Sequence, residues 1–98
     1  MKRPPRNDFG HALRVARTAA SLSQEAFSDV SGRTYISQLE RGERHATLSK
    51  IDELAAVLGI HPASLVAFSY LHPRASRESV EGLMATLREE LMGLVGTS

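Results

Sequence analysis

Apolar residues recur every three or four positions along most of this chain and nowhere keep up a period of two. Phe9, Leu13, Ala16 and Ala20 form one stripe, which predicts a first helix capped by Asn7 with Asp8 in its first turn. Leu22-Ser23 interrupts the stripe, and Ser23 is suited to cap a short second helix that turns Ala26, Phe27 and Val30 inward. Ser31-Gly32 then reads as a tight turn in which glycine can take a positive φ. A third short helix begins near Arg33-Thr34, buries Ile36 and Leu39, and stops at Arg41-Gly42, a glycine suited to a helix C-terminus. Residues 43–46 read as a loop. Thr47 caps a fourth helix carrying Leu48, Ile51, Leu54, Ala55 and Leu58 on one face, and Gly59 ends it. His61-Pro62 opens a fifth helix with proline where its missing N–H does no harm, and Leu65, Val66 and Phe68 are its apolar residues. Residues 71–75, with Pro73, read as a linker, and Ser76 caps a sixth segment that runs to near Leu94.

The pattern predicts an all-α fold. At 98 residues the chain is long enough for one domain with a modest core and too short for two. The absence of cysteine excludes disulfides, thiolate zinc sites and a cysteine nucleophile. The four histidines, His11, His45, His61 and His72, follow no metal-ligand spacing, so neither metal nor cofactor is expected. His61 reads as a cap or surface residue, and His45 as a surface residue or a phosphate contact. No apolar run is long enough for a membrane span, and the opening Met-Lys-Arg-Pro-Pro-Arg does not read as a secretory signal, so a cytoplasmic protein is expected. No nucleophile–base pair, paired carboxylates or glycine-rich phosphate loop suggests an enzyme.

Charge changes the picture more than composition does. The net charge is +1, yet residues 1–50 carry nine Lys/Arg against five Asp/Glu, and residues 51–98 carry three against six. A basic half joined to an acidic half suits a polyanion on one surface and something else on the other. Residues 1–6 form a basic arm whose Lys2, Arg3 and Arg6 either track phosphates or are merely solvated.

The informative block is Leu22-Ser23-Gln24-Glu25-Ala26-Phe27 followed by Gly32-Arg33-Thr34-Tyr35-Ile36-Ser37-Gln38-Leu39-Glu40-Arg41-Gly42. Two short helices meet at a glycine-containing turn, and the second is apolar only at Ile36 and Leu39. A helix that short needs the rest of the domain to hold it, and its polar side chains then project from a rigid surface. That arrangement is a helix-turn-helix, whose second helix lies in the major groove.

The block resembles the lambdoid phage repressor and Cro family, the Xre-type helix-turn-helix, in its LSQE, its YISQLERG and the later TLSKIDELAAVLGIHPASLVA. The resemblance covers residues 9–70, and the turn before the third helix is shorter than the family pattern. It implies a five-helix lambda-repressor-like DNA-binding domain over residues 7–71, with residues 72–98 adding a linker and a C-terminal amphipathic helix. It implies base contacts from Arg33, Thr34, Ser37 and Gln38, and backbone contacts from Gln24, Arg41 and Arg44, with Lys50 a weaker candidate. Arginine can fork onto guanine and glutamine onto adenine. Tyr35 either stacks on the DNA backbone or packs locally. Arg17 and Glu40 match an arginine and a glutamate that pair across the first and third helices.

Val80, Met84, Leu87, Leu91 and Leu94 make a heptad seam, widened by Leu83, too short for a self-sufficient coiled coil. It must pack on its own domain or across a dimer, and the resemblance implies dimerisation there and at Val66. The expected function is a sequence-specific, homodimeric transcriptional regulator, a repressor reading an inverted repeat in double-stranded DNA. The alternatives are an antitoxin or adaptor that docks a partner protein such as a toxin through the last helix, and a restriction–modification controller.

Overall fold

A computed structural model of the chain describes residues 7–97. Five α-helices follow one another: α1 (Phe9–Ala19), α2 (Arg33–Glu40), α3 (Leu48–Leu58), α4 (Pro62–Leu71) and α5 (Arg77–Thr97). A single turn of 3-10 helix, Gln24–Phe27, stands between α1 and α2. No strand occurs among the described residues, so the fold is all-helical. The basic arm of residues 1–6 lies outside the described residues.

The core is where the apolar spacing puts it. Leu13 of α1, Phe27, Ile36 and Leu39 of α2, Leu54 and Ala55 of α3 and Leu65 of α4 are buried together. α1 lies against α4 and α2, and α3 against α4. The 3-10 turn is too short to persist alone, and Phe27 anchors it. That side chain is fully buried, which contributes about 1.5–3 kcal/mol.

Several local expectations are corrected. Asp8, not Asn7, caps α1: its carboxylate accepts from the His11 N–H, and its own N–H donates to Ser69 O of α4 at 2.9 Å. That second bond fixes the start of α1 one residue later than the sequence suggests. The second helix is only one 3-10 turn, without a side-chain cap from Ser23. Val30 and Ser31 N–H groups both donate to Phe27 O, at 3.0 and 2.8 Å, and this tight closure ends it. Ala20 and Ala26 are exposed rather than inward. Gly32 has φ −75° and needs no glycine freedom, whereas Gly42 and Gly59 take φ of 76° and 75° and close α2 and α3. Leu48 is 79% exposed, because a first-turn side chain leans back past the helix start and off the core layer. The caps at Thr47 and His61 form as expected.

The close approach of α1 to α2 occurs at Gly10. A Cβ there would meet the Glu40 carbonyl oxygen at 2.9 Å and the Leu39 carbonyl oxygen closer still. Glycine lets the α1 backbone rest directly on the C-terminal carbonyls of α2.

α5 extends 21 residues and has none buried. Leu83 and Leu87 are half-buried and face Val66, Ala67 and Tyr70 of α4 across an apolar groove of about 550 Å³. Val80, Met84, Leu91 and Leu94 remain 40–64% exposed.

Candidate nucleic-acid interface

α2 is held by its inner side and offers the rest. Ile36 and Leu39 enter the core, and Glu40 ties the C-terminal end to α1. Arg17 grips Glu40 with two bonds, Nε to Oε2 at 2.7 Å and Nη2 to Oε1 at 3.0 Å. Its remaining Nη1 donates to the Leu22 carbonyl at 2.9 Å. Gln24 Nε2 adds a fourth bond, to Glu40 Oε1 at 3.2 Å. The two side chains are 15% and 5% exposed, so this network is largely withdrawn from solvent. The bonded Glu40 carboxylate raises the Arg17 pKa further, against the effect of burial. One guanidinium thus joins α1, the loop after it and α2, and the bidentate fork fixes angle as well as distance.

The sequence-predicted contact residues lie around this fixed element. Arg33 and Thr34 are exposed at its start, and Arg33 Nη1 meets Glu25 Oε1 at 3.2 Å. Ser37 Oγ accepts from Arg41, whose Nε also bonds Glu43 Oε2 at 2.7 Å. That guanidinium holds the Glu43 carboxyl below its ordinary pKa by hydrogen bonding. Arg44 Nε donates to Gln38 Oε1 at 2.6 Å. Lys50 Nζ donates to the Val30 carbonyl at 2.5 Å and pairs with Glu53 at 2.9 Å. The Tyr35 ring lies under both cations, with Arg44 at 5.8 Å and Lys50 at 5.6 Å from its centroid, and packs against the core. Local packing is therefore its role in the free protein.

These pairings were not legible beforehand. Gln24 turns its amide toward Glu40 rather than outward. Arg44 occupies the acceptor that Gln38 would offer to an adenine amino group. Lys50 braces the turn after Phe27. Gly10 was missed as well; the signal was a glycine inside a helical stripe, where alanine would otherwise be favoured.

Similarity to known proteins agrees with this geometry. The helix-turn-helix family pattern matches residues 13–65. The control protein C.BamHI of Bacillus amyloliquefaciens is 41% identical over 64 residues, covering 62% of this chain and 79% of that protein. The crystal structure of the restriction-modification controller protein C.AhdI from Aeromonas hydrophila superposes with a TM-score of 0.56 at 42% identity, over 59% of this chain and 91% of that one. Among the described residues no single helix is long and apolar enough to cross a membrane. A short helix with an exposed polar face, locked at a fixed angle by Arg17 and Glu40 inside a matching fold, identifies the chain as a member of the helix-turn-helix family of DNA-binding transcriptional regulators.

Proposed function

We propose that this chain is a homodimeric controller that binds an inverted repeat and regulates a restriction–modification gene set. The observation that carries the reading is the polar face of α2, projected from a scaffold that Arg17 and Glu40 make rigid. The similarity to C.BamHI and C.AhdI supports the choice of target over a phage operator. Residues 7–71 serve as the DNA-binding domain and residues 72–98 as the appended association arm.

In this reading Arg33, Thr34, Ser37 and Gln38 meet base edges and Arg41 and Arg44 meet phosphates, while Gln24, Tyr35 and Lys50 reach phosphates only by leaving the contacts they make in the free protein. Arg33 and Arg41 exchange Glu25 and Glu43 for DNA, and those carboxylates lower the affinity for non-cognate sequences. Val66, with the seam Val80, Met84, Leu87, Leu91 and Leu94, meets the same surface of a second copy. The support for a second copy is the apolar groove beside α4 together with an α5 stripe left 40–64% exposed. A two-fold dimer then sets half-sites one helical turn apart, about 34 Å.

Selection of bound sequences from random duplex DNA tests this directly. A palindromic consensus found beside restriction and methyltransferase genes is expected. Binding should weaken with a log–log salt slope of about −5, for roughly six phosphates per dimer. No enrichment at low salt rejects the reading.

A further inference from the structure

The first turn of α1 and the last turn of α4 meet at a cluster that the DNA-facing surface does not use. Asp8 caps α1 through Oδ1, which accepts the His11 N–H at 3.3 Å. His72 stands at the C-terminus of α4, 61 positions further along, beside the His11 ring. The two ring centroids are 4.3 Å apart with a 36° tilt, and Phe68 packs edge-on to His72 at 5.5 Å. One ligand atom from each of Asp8, His11 and His72 lies within 4.8 Å of the other two. Among the described residues, His72 Nδ1 is the one buried side-chain polar atom without a hydrogen-bond partner.

We propose that Asp8, His11 and His72 form a site for a divalent transition-metal ion of the zinc type, joining the start of α1 to the end of α4. Two imidazole nitrogens and one carboxylate oxygen suit zinc and its neighbours. Magnesium and calcium require a shell of oxygens that this cluster does not offer. An ion bound through His72 Nδ1 supplies the partner that the protein withholds from that nitrogen. Tetrahedral bonds of about 2.0–2.1 Å set ligand atoms roughly 3.3 Å apart, within reach of side-chain rotation at exposed Asp8 and His11. The fourth position stays open to water. Sequence spacing hides the site because the fold alone brings residue 72 to residues 8 and 11. His72 also precedes Pro73, where the chain leaves toward α5, so the ion fastens the root of that helix.

The full chain, stripped with chelator, is titrated with zinc chloride by calorimetry and with cobalt(II) by visible absorption. One ion per chain is expected, with tetrahedral cobalt bands. At a hundred times its Kd, zinc should raise the folding equilibrium constant about 100-fold. His11→Gln, His72→Gln and Asp8→Asn should each weaken binding more than the 10–100-fold typical of losing an outer-shell partner. Asn retains the helix cap, so the Asp8→Asn chain keeps its fold and a loss there is a loss of ligand. His45→Gln should bind as the parent does. Absence of saturable zinc binding below millimolar concentration overturns the proposal, and so does binding that survives all three substitutions.

Discussion

Removing one side of the Arg17–Glu40 pair should cost far more than removing both. Glu40→Leu leaves the Arg17 guanidinium inside the domain with the Leu22 carbonyl as its remaining acceptor. Breaking one side of a fully buried pair costs about 3–5 kcal/mol. Arg17 keeps 15% of its side chain in solvent, so the low end applies, about 3 kcal/mol. In a domain of this size each kcal/mol moves Tm by about 4–8 °C, and the midpoint should fall by roughly 12–24 °C. Arg17→Met strands the Glu40 carboxylate with Gln24 alone and should cost a similar amount. The double variant removes both charges and fills the space with apolar atoms, so most of the loss should return. Urea and thermal unfolding of the four proteins give the cycle. High salt should change it little, because a pair this withdrawn is poorly screened. If the double variant is as unstable as the two single losses added together, the charges do not act on each other. A loss under about 1 kcal/mol for Glu40→Leu would likewise refute the reasoning.

Gly10→Ala should destabilise the domain by about 1–3 kcal/mol, since the new methyl meets backbone carbonyls that cannot rotate away; unfolding midpoints check this, and a neutral result refutes the close approach. Arg33→Ala should relax sequence preference by about 1–3 kcal/mol at one base position, read by competition between selected and random duplexes. Arg44→Ala should weaken all sequences and also change the preference set by Gln38, because it frees that side chain's oxygen to accept from a base; a purely uniform loss would show that DNA binding already releases the contact. Deleting residues 76–98 should leave the Tm within a few degrees, because no residue of α5 is itself buried, yet give monomers at micromolar concentration by light scattering. A truncated chain that stays dimeric places the interface on α4 alone.

The sequence alone determined the five α-helices and most of the core. Three- and four-residue spacing, with Thr47, Pro62, Gly42 and Gly59 as punctuation, is local information, and local hydrogen bonding obeys it. The Arg17–Glu40 pair was legible from the family resemblance, and the structure forms it. Tertiary structure decided what distant segments do to each other. Ser69 O captures the Asp8 N–H and moves the first cap by one residue. Phe27 must reach the core, so the expected second helix becomes a single 3-10 turn. Glu25, Glu43 and Gln38 take up Arg33, Arg41 and Arg44, and nothing in their spacing selects those rotamers. The seam on α5 was plain in the sequence, but a period says only that a stripe exists. Whether it packs at home depends on how far the linker carries it, and here the chain's own domain leaves most of that stripe exposed.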